Sequence, residues 1–403
     1  MVLKGENISR EGELADVEEP SFISQEVHAR FPLTHVEAGD LIISVRGEVG
    51  KVGFITPKHA GANINANTIR IAFHDSIKGT EFEPEFIWLY LNSDIGQSLI
   101  RQFIAGGVQE TITAPELLQV RIPKLSPIKQ RELLAAMKTA RSTRQQKQAE
   151  ADALLAGFDG YLLTQLGLTA PASDARQVFA VRLGQLRDTG RLNADYFHPE
   201  RILAIRAMEK NRKTMRVERL RDIADFVRDA VPAETSENYL GLANVQSNTG
   251  ELVESNEEDG EGLCFRYAPQ DVLFARLRPY LNKVHRAEKA GVCSTEFHVI
   301  RIHPAAKPQD EIRADYLATV LRSSLVLAQT RHMMTGNTHP RLANEDVVNL
   351  IVPIPDPKIQ AIIAAEVTRR RAEARRLRSS AGAEWAAAKA RFEQELLGEG
   401  TKP

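Results

Sequence analysis

Several features that many secreted, membrane and metal-binding proteins need are scarce in this sequence. It has only two cysteines in 403 residues, too few for a disulfide framework or, alone, for a metal cage. No run of 18 or more apolar residues occurs, so we expect no membrane-spanning helix. The N-terminal residues MVLKGENISREGE lack the apolar core of a signal peptide. Together these absences predict a cytoplasmic protein.

The sequence also lacks an excess of charge of either sign. It has 52 basic and 53 acidic residues and a formal net charge of −1. Cations that neutralise phosphates supply the nonspecific affinity for nucleic acid, so this balance argues against binding through bulk charge. A local basic surface remains compatible with it: basic residues concentrate near Arg276 and at 369–378, whereas 251–261 is acidic.

Sequence motifs of nucleotide-dependent and metal-dependent catalysis are missing. The segment GEVGK at 47–51 has a Gly-Lys pair but lacks the spacing and the Ser or Thr of a phosphate-binding loop. We find no dinucleotide fingerprint, no Asn/Asp-Pro-Pro-aromatic tetrapeptide of methyltransferases and no paired-acid nuclease motif. The ten histidines are scattered, without the close spacing of a metal site. We therefore predict a chain without catalysis and without a cofactor of its own.

The sequence does contain an internal repeat, which decides how the rest is interpreted. Residues 39–167 match residues 270–398 at an offset that stays between 230 and 232. Thus FIWLYLNSDIGQSLIRQFIAG at 86–106 follows the pattern of YLATVLRSSLVLAQTRHMMTG at 316–336, and Gln130 falls on Gln360. Identity is low, but order, spacing and apolar pattern persist. We infer two tandem copies of one domain.

Each copy has the pattern of an α+β domain followed by a long helix. Branched apolar runs and alternating segments predict strands, followed by a helix, a glycine-containing turn and a strand that ends in proline. We place these last strands at 119–123 and 349–353. Residues 128–166 and 359–397 are rich in helix formers. A single helix of this length cannot bury its apolar stripe, so we predict that the two helices form an antiparallel coiled coil within the chain. The alternative is a coiled coil between two chains.

Polar side chains suited to base edges or phosphates collect at the turns of each copy. Arginine offers a planar fork that matches guanine edges or phosphates, and short polar groups hold phosphates. The second copy has RLRPYLNK at 276–283 and GNTHPR at 336–341. Candidate DNA-binding residues are Arg276, Arg278, Tyr280, Asn282, Lys283, Asn337, Thr338, His339 and Arg341, with Arg46, Lys51, Gln109, Thr111 and Thr113 in the first copy. The alternative is that some of these are solvated strand or turn residues. We expect the basic run at 369–378 to be a solvated helix face and not a DNA clamp.

These residues carry a resemblance to a known family. DVLFARLRPYLNK at 271–283, and VPIPDP at 352–357 followed by Gln360 and a long helix, resemble the target recognition domains of type I restriction-modification specificity subunits. The first-copy version is RIPKLSPIKQ at 121–130. The resemblance covers nearly the whole chain, twice over, and its strength lies in the order and duplication of the motifs.

The resemblance implies that each recognition domain reads one half of a split DNA site in the major groove of double-stranded DNA. It implies that the paired helices fix the gap between half-sites and dock adenine methyltransferase subunits, which bind S-adenosylmethionine. A translocating endonuclease subunit, with ATP and Mg, is a further partner that it allows. The specificity subunit itself is not an enzyme. The competing hypotheses are a structural adaptor that kept the fold but lost base recognition, and an enzyme with an unrecognised site.

On this interpretation the chain has five parts: a first target recognition domain at 1–125, its spacer helix at 126–167, a linker and helical lead-in at 168–235, a second target recognition domain at 236–355, and a second spacer helix with a tail at 356–403. The lead-in has no counterpart in the first copy. The first copy also lacks the Pro-Tyr-Leu-Asn of the second. We therefore expect the first domain to be incomplete alone or completed by another chain.

Overall fold

The computed structural model describes residues 1–15, 20–74, 76–106, 110–171, 178–232, 238–254, 262–336 and 338–398. The chain forms two compact units, of which the first combines two distant segments and the second is continuous in sequence. Unit 1 comprises Met1–Gln148 with Arg378–Pro403, and unit 2 comprises Ala149–Leu377. Each of the two long helices, α5 (Pro127–Ala156) and α13 (Pro357–Leu397), contributes a part to both units. Across the described ranges, no helix is long and apolar enough to cross a membrane.

Unit 1 is built on a three-stranded antiparallel sheet of order β3-β2-β5, beside a parallel pair β1-β4. Its strands are β1 (Val2–Leu3), β2 (Leu41–Ser44), β3 (Val52–Phe54), β4 (Asn63–Ile64) and β5 (Thr68–Ile71), and its helices are α1 (Gln25–Arg30), α2 (Pro84–Leu91), α3 (Asp94–Arg101) and α4 (Ala114–Leu117), with parts of α5 and α13. The central strand β2 is buried at every position, because α2 and α5 cover the face with Leu41 and Ile43 and a second cluster around Ile8 covers Ile42. The core joins Leu41 and Phe86 to Trp385 and Phe392 from the end of the chain.

Unit 2 holds two four-stranded sheets, of order β12-β11-β14-β7 and β8-β10-β13-β9, and a pair β15-β6. Its strands are β6 (Arg216–Arg219), β7 (Ala224–Val227), β8 (Ala230–Pro232), β9 (Tyr239–Leu240), β10 (Leu263–Tyr267), β11 (Val272–Ala275), β12 (Val284–Arg286), β13 (Gly291–Ser294), β14 (Phe297–Ile302) and β15 (Ile351–Ile354). Its helices are α6 (Phe158–Leu166), α7 (Leu183–Thr189), α8 (Pro199–Lys210), α9 (Leu220–Ile223), α10 (Ala314–Leu321), α11 (Ser324–Thr330) and α12 (Asn344–Val348).

The internal repeat is visible in the sheets, with one difference. Strands β3-β2-β5 of unit 1 correspond to β12-β11-β14 of unit 2, but unit 2 adds β7 to this sheet and pairs β15 with β6. The predicted strand at 119–123 is wrong, because that segment is not a strand in unit 1. The reason is that β6 and β7 belong to the lead-in, and nothing among the described residues of unit 1 replaces them.

The first long helix was predicted to be continuous over 128–166, but in the structure it is interrupted. It ends at Ala156, and α6 begins at Phe158. Gly157 lies between them, and its carbonyl accepts a hydrogen bond from Arg370 Nη1 at 3.0 Å. A Cβ at Gly157 would lie 2.8 Å from that nitrogen, so a larger residue here would make the Arg370 side chain shift. The second helix, α13, is continuous from Pro357 to Leu397.

In both units the two long helices are neighbours and antiparallel. In unit 1, Lys129 contacts Glu395 at 2.7 Å, and Lys147 contacts Glu384 at 2.5 Å. Residue numbers thus rise along α5 as they fall along α13. In unit 2, Ala151 and Leu155 of α5 share a buried cluster with Val367 and Ala374 of α13. The prediction that the helices pair within the chain is confirmed.

Candidate nucleic-acid interface

In unit 2, the chain turns sharply after β11, and this turn carries the first group of candidate residues. Arg278 and Asn282 have φ values of +49° and +52°. Residues with a side chain rarely adopt this left-handed conformation. The short 3-10 helix Pro279–Leu281 lies between them. As a result Arg278 and Tyr280 are exposed, with 49% of Tyr280 accessible.

The second group of candidates lies against this turn. The backbone N–H of Arg278 donates to the carbonyl of Pro340 at 2.7 Å, and that of Leu342 donates to Arg276 at 3.0 Å. Two segments that are 60 residues apart in sequence therefore form one surface. The surface holds six predicted residues: Arg276, Arg278, Tyr280, Thr338, His339 and Arg341. We call it the turn surface of unit 2.

One carboxylate that sequence reasoning missed lies between two of these cations. Glu296 accepts hydrogen bonds from Arg341, at 3.1 Å from Nε and 2.7 Å from Nη2. The Nε of Arg276 lies 3.9 Å from the same carboxylate. The hydrogen bond to Glu296 raises the pKa of Arg341 further. Glu296 directly precedes a buried strand. Only folding brings this carboxylate next to both arginines.

A buried histidine lies near this cluster. Burial lowers the pKa of His298 to about 4, and the positive charge of Arg276 lowers it further. The imidazole is therefore neutral at physiological pH. It adds no charge to the turn surface.

Two other candidates use their side-chain donors inside unit 2. Asn282 Nδ2 donates to the carbonyl of Arg322 at 2.7 Å. Lys283 Nζ donates to the carbonyl of Leu242 at 2.7 Å. These contacts fix the turn that presents Arg278 and Tyr280. The candidate Asn337 lies outside the described residues.

Unit 1 repeats the backbone of this surface with different side chains. Thr111 forms bridges to Arg46 and Ala105, as Arg341 does to Leu277 and Thr335. Arg46 is exposed. In unit 1, the cation that lies next to Thr111 is therefore Arg46. Unit 2 has the Glu296 cluster at the corresponding place.

The other first-copy candidates are tied to local acids. Lys51 forms an ion pair with Glu48, and hydrogen bonding to Lys51 holds the pKa of that carboxyl below its usual value. Thr113 caps α4, because its hydroxyl and its backbone N–H each lie 2.7 Å from the carboxylate of Glu116. Gln109 lies outside the described residues.

One group of potential metal ligands occurs in the part of the chain that the structure describes: His198, Glu200 and His332. Their ligand atoms lie within 4.8 Å of one another. However, the two imidazole rings are stacked, with centroids 3.4 Å apart and planes at 18°. Imidazole lone pairs lie in the ring plane, so two nearly parallel rings do not aim them at one ion. Glu200 instead accepts hydrogen bonds from Arg331 at 2.7 Å and His332 at 2.8 Å, which ties α8 to the end of α11.

Comparisons with known proteins bear on the fold. No protein-family model matches the sequence, and no curated protein matches it. Several solved chains match the structure, and three of them are compared with it. A chain from work described as "Structural basis underlying complex assembly and conformational transition of the type I R-M system" is 15% identical, covers 98% of this chain and 89% of its own length, and has a TM-score of 0.56.

The other two matches have lower TM-scores. The HsdS subunit from Thermoanaerobacter tengcongensis is 16% identical, with 98% of this chain and 88% of that chain covered and a TM-score of 0.40. The type I restriction-modification system S subunit from M. genitalium is 12% identical, with 90% and 84% covered and a TM-score of 0.43. The fold comparison therefore rests on the first chain, and at 15% identity it concerns the fold alone.

Proposed function

We propose that this chain, whose fold matches a chain of a type I R-M system, is a specificity subunit that reads a bipartite DNA site for a type I restriction-modification complex or for a related phage-defence complex. The observation that supports it most is the turn surface of unit 2. There, two segments chosen from sequence alone as base-reading candidates meet, with Arg278, Tyr280 and His339 exposed. Unit 1 repeats the backbone with other side chains, as two reading domains for two different half-sites would.

Direct readout needs rigid polar groups at a protein surface. Arginine forks suit guanine edges, and short hydroxyls or backbone amides suit phosphates. In unit 2 the turn is held by Asn282 and Lys283, so Arg278 and Tyr280 are presented on a fixed backbone. Because the side chains of the two turn surfaces differ, we propose that the two half-sites have different sequences.

The antiparallel helices supply the second part of the proposal. A chain that reads two half-sites must hold its reading surfaces at a set separation, and α5 with α13 contributes to both units. We propose that these helices set the gap and dock adenine methyltransferase subunits, which would bring S-adenosylmethionine. An endonuclease subunit would bring ATP and Mg. The net charge of −1 fits a subunit that shares phosphate neutralisation with its partners. Such a complex would act on DNA in the cytoplasm.

Methylome sequencing of cells that express the chain with its methyltransferase tests this function. We expect one bipartite methyladenine motif that disappears when the gene for this chain is deleted. Arg278→Ala with Tyr280→Ala should weaken or change one half-site and leave the other intact. Arg286→Ala, which removes an exposed ion pair to Glu288, is the matched control. A motif set that does not change on deletion would contradict the proposal and favour an adaptor without base recognition.

A further inference from the structure

We infer that the cluster of Arg276, Glu296 and Arg341, the charged triad of unit 2, reads a G·C base pair in the major groove. This inference rests on the proposed function and adds to it a base identity at one position of one half-site. It starts from a charge arrangement that is unusual for a surface that binds phosphates, because a carboxylate lies between the two cations.

The triad is held by backbone contacts, not only by its own charges. Arg276 follows β11 directly, Glu296 precedes β14, and Arg341 lies on the loop before α12. The N–H of Arg276 donates to the carbonyl of Glu296 at 2.9 Å. The N–H of Leu342 donates to the carbonyl of Arg276 at 3.0 Å. These bonds fix the backbone that carries the three side chains before any ligand arrives, which lowers the entropy lost on binding.

The triad is nevertheless reachable from solvent. The side chains of Arg276, Glu296 and Arg341 are 37%, 25% and 41% exposed. Arg341 binds Glu296 through Nε and Nη2, so the N–H groups of Nη1 remain for a ligand. Nε of Arg276 is buried without a hydrogen-bond partner among the described residues, so charge alone draws that guanidinium to Glu296. Each arginine therefore still has donors to give.

The carboxylate decides which ligand fits. Beside a phosphate, Glu296 would repel the ligand and would also keep neutralising Arg341. Beside a base pair, a carboxylate can accept a hydrogen bond from the cytosine amino group. An arginine fork needs two adjacent acceptors, and guanine presents them as O6 and N7. A G·C pair offers both acceptors and the donor next to them in the major groove, so it satisfies an arginine and Glu296 together.

Unit 1 provides an internal comparison. The backbone bonds that hold the triad recur there, from Val45 N–H to Asn67 at 2.8 Å and from Ile112 N–H to Val45 at 3.3 Å. The positions of Arg276, Glu296 and Arg341 are thus taken by Val45, Asn67 and Thr111. None of these three side chains carries a charge. We therefore assign the G·C readout to the half-site read by unit 2 alone.

The test uses the full complex with its methyltransferase and compares methylated motifs from a host genome or a randomised plasmid library. In the wild type, we expect a half-site with G·C at one position. Glu296→Gln keeps the shape but removes the charge, and should relax discrimination at that single position by roughly tenfold or more. It should also make DNA binding more sensitive to salt, because the freed arginines can turn to phosphates. Arg341→Lys keeps the charge but not the fork, and should relax the same position.

Glu288→Gln is the control, since Glu288 pairs with Arg286 on the surface at 2.8 Å and should leave every position unchanged. An unchanged motif in Glu296→Gln, with the complex assembled and active, would overturn the triad while leaving the proposed function standing. Relaxation at an A·T position would also overturn it. If no motif depends on the wild-type chain, the proposed function fails and the triad fails with it.

Discussion

Gln130 and Gln360 make the same three hydrogen bonds in different units. Each side chain is fully buried, accepts one backbone N–H and donates to two carbonyls. The Gln130 partners are Glu83 N–H at 2.8 Å, Glu81 at 2.7 Å and Leu125 at 2.9 Å. The Gln360 partners are Arg313 N–H at 2.9 Å, Glu311 at 3.0 Å and Pro355 at 2.9 Å. Each glutamine thus joins the start of its long helix to the segment before α2 or α10.

Replacing either glutamine should destabilise its own unit. Gln130→Ala and Gln360→Ala each leave backbone groups at a partly buried site without their partners, at up to roughly 1–3 kcal/mol for each group that water cannot reach. Amide hydrogen exchange should rise in unit 1 for the first variant and in unit 2 for the second. Gln146→Ala, at an exposed position of α5, is the control and should change neither. Equal exchange in all three variants would show that the hydrogen bonds contribute little.

The two units should respond differently to a charge placed at equivalent positions of the repeat. Val352 is fully buried between β6 and the core, whereas Ile122 in unit 1 is 39% exposed. Val352→Glu should lower the free energy of unfolding of unit 2 by roughly 3 kcal/mol or more, because it buries an unpaired carboxylate. Ile122→Glu should cost far less. We would measure both by thermal unfolding, and a comparable loss from Ile122→Glu would mean that another segment covers this edge.

This contrast also shows where sequence reasoning stops. The apolar pattern at 119–123 is the same as that of a strand, and local pattern therefore predicted one. Whether it pairs depends on a partner from elsewhere in the chain, and β6 lies more than 130 residues before β15. A sequence repeat identifies equivalent residues but not the distant segment that completes only one of the two copies.

Part of the candidate interface could be predicted from the sequence, and part could not. Arg278 and Tyr280 stand out because a turn rich in cations follows a strand, and local sequence specifies that turn. Glu296 did not stand out, since its role depends on the pairing of β11 with β14, which brings it beside Arg276. Lys283 was a candidate by its charge, yet its contact with the Leu242 carbonyl could not be inferred from spacing.

The buried His298 should make unit 2 sensitive to acid. Its folded pKa is lowered from 6.5 to about 4 by burial, so below pH 6.5 the unfolded chain takes up a proton that the folded chain does not. The stability that unit 2 gains from keeping His298 neutral is complete above pH 6.5 and is lost as the pH falls toward 4. At pH 5 the loss is about 2 kcal/mol. We would compare the Tm at pH 7 and pH 5.

The matched variant for this prediction is His298→Phe, which keeps an aromatic ring between Phe226 and Phe274. It should reduce the difference in Tm between the two pH values. His285, whose pKa is also lowered by burial, titrates in both proteins and cancels from the comparison. An undiminished pH dependence in His298→Phe would assign the acid sensitivity to other groups.

A substitution near the end of the chain should destabilise the first unit. Trp385 of α13 is buried in the unit 1 core, and the guanidinium of Arg144 lies 5.5 Å from its ring. Trp385→Ala should lower the stability of unit 1 by roughly 3–5 kcal/mol. Hydrogen exchange should then rise in β2 but not in β11. Lys389→Ala, exposed on the same helix, is the control; a rise in β11 would mean that the units do not unfold separately.

The composition of unit 1 has a consequence for the order of events during synthesis. Its core needs Trp385 and Phe392, so the ribosome has made all of unit 2 before the last parts of unit 1 exist. Residues 1–148 must therefore wait with part of their apolar surface uncovered until residues 378–398 have been made. Unit 2 can finish folding earlier than unit 1, against the usual order from N-terminus to C-terminus. A released chain truncated after Leu377 should hold a folded unit 2 and an unfinished unit 1, and chaperones would meet this protein at the uncovered surface of unit 1.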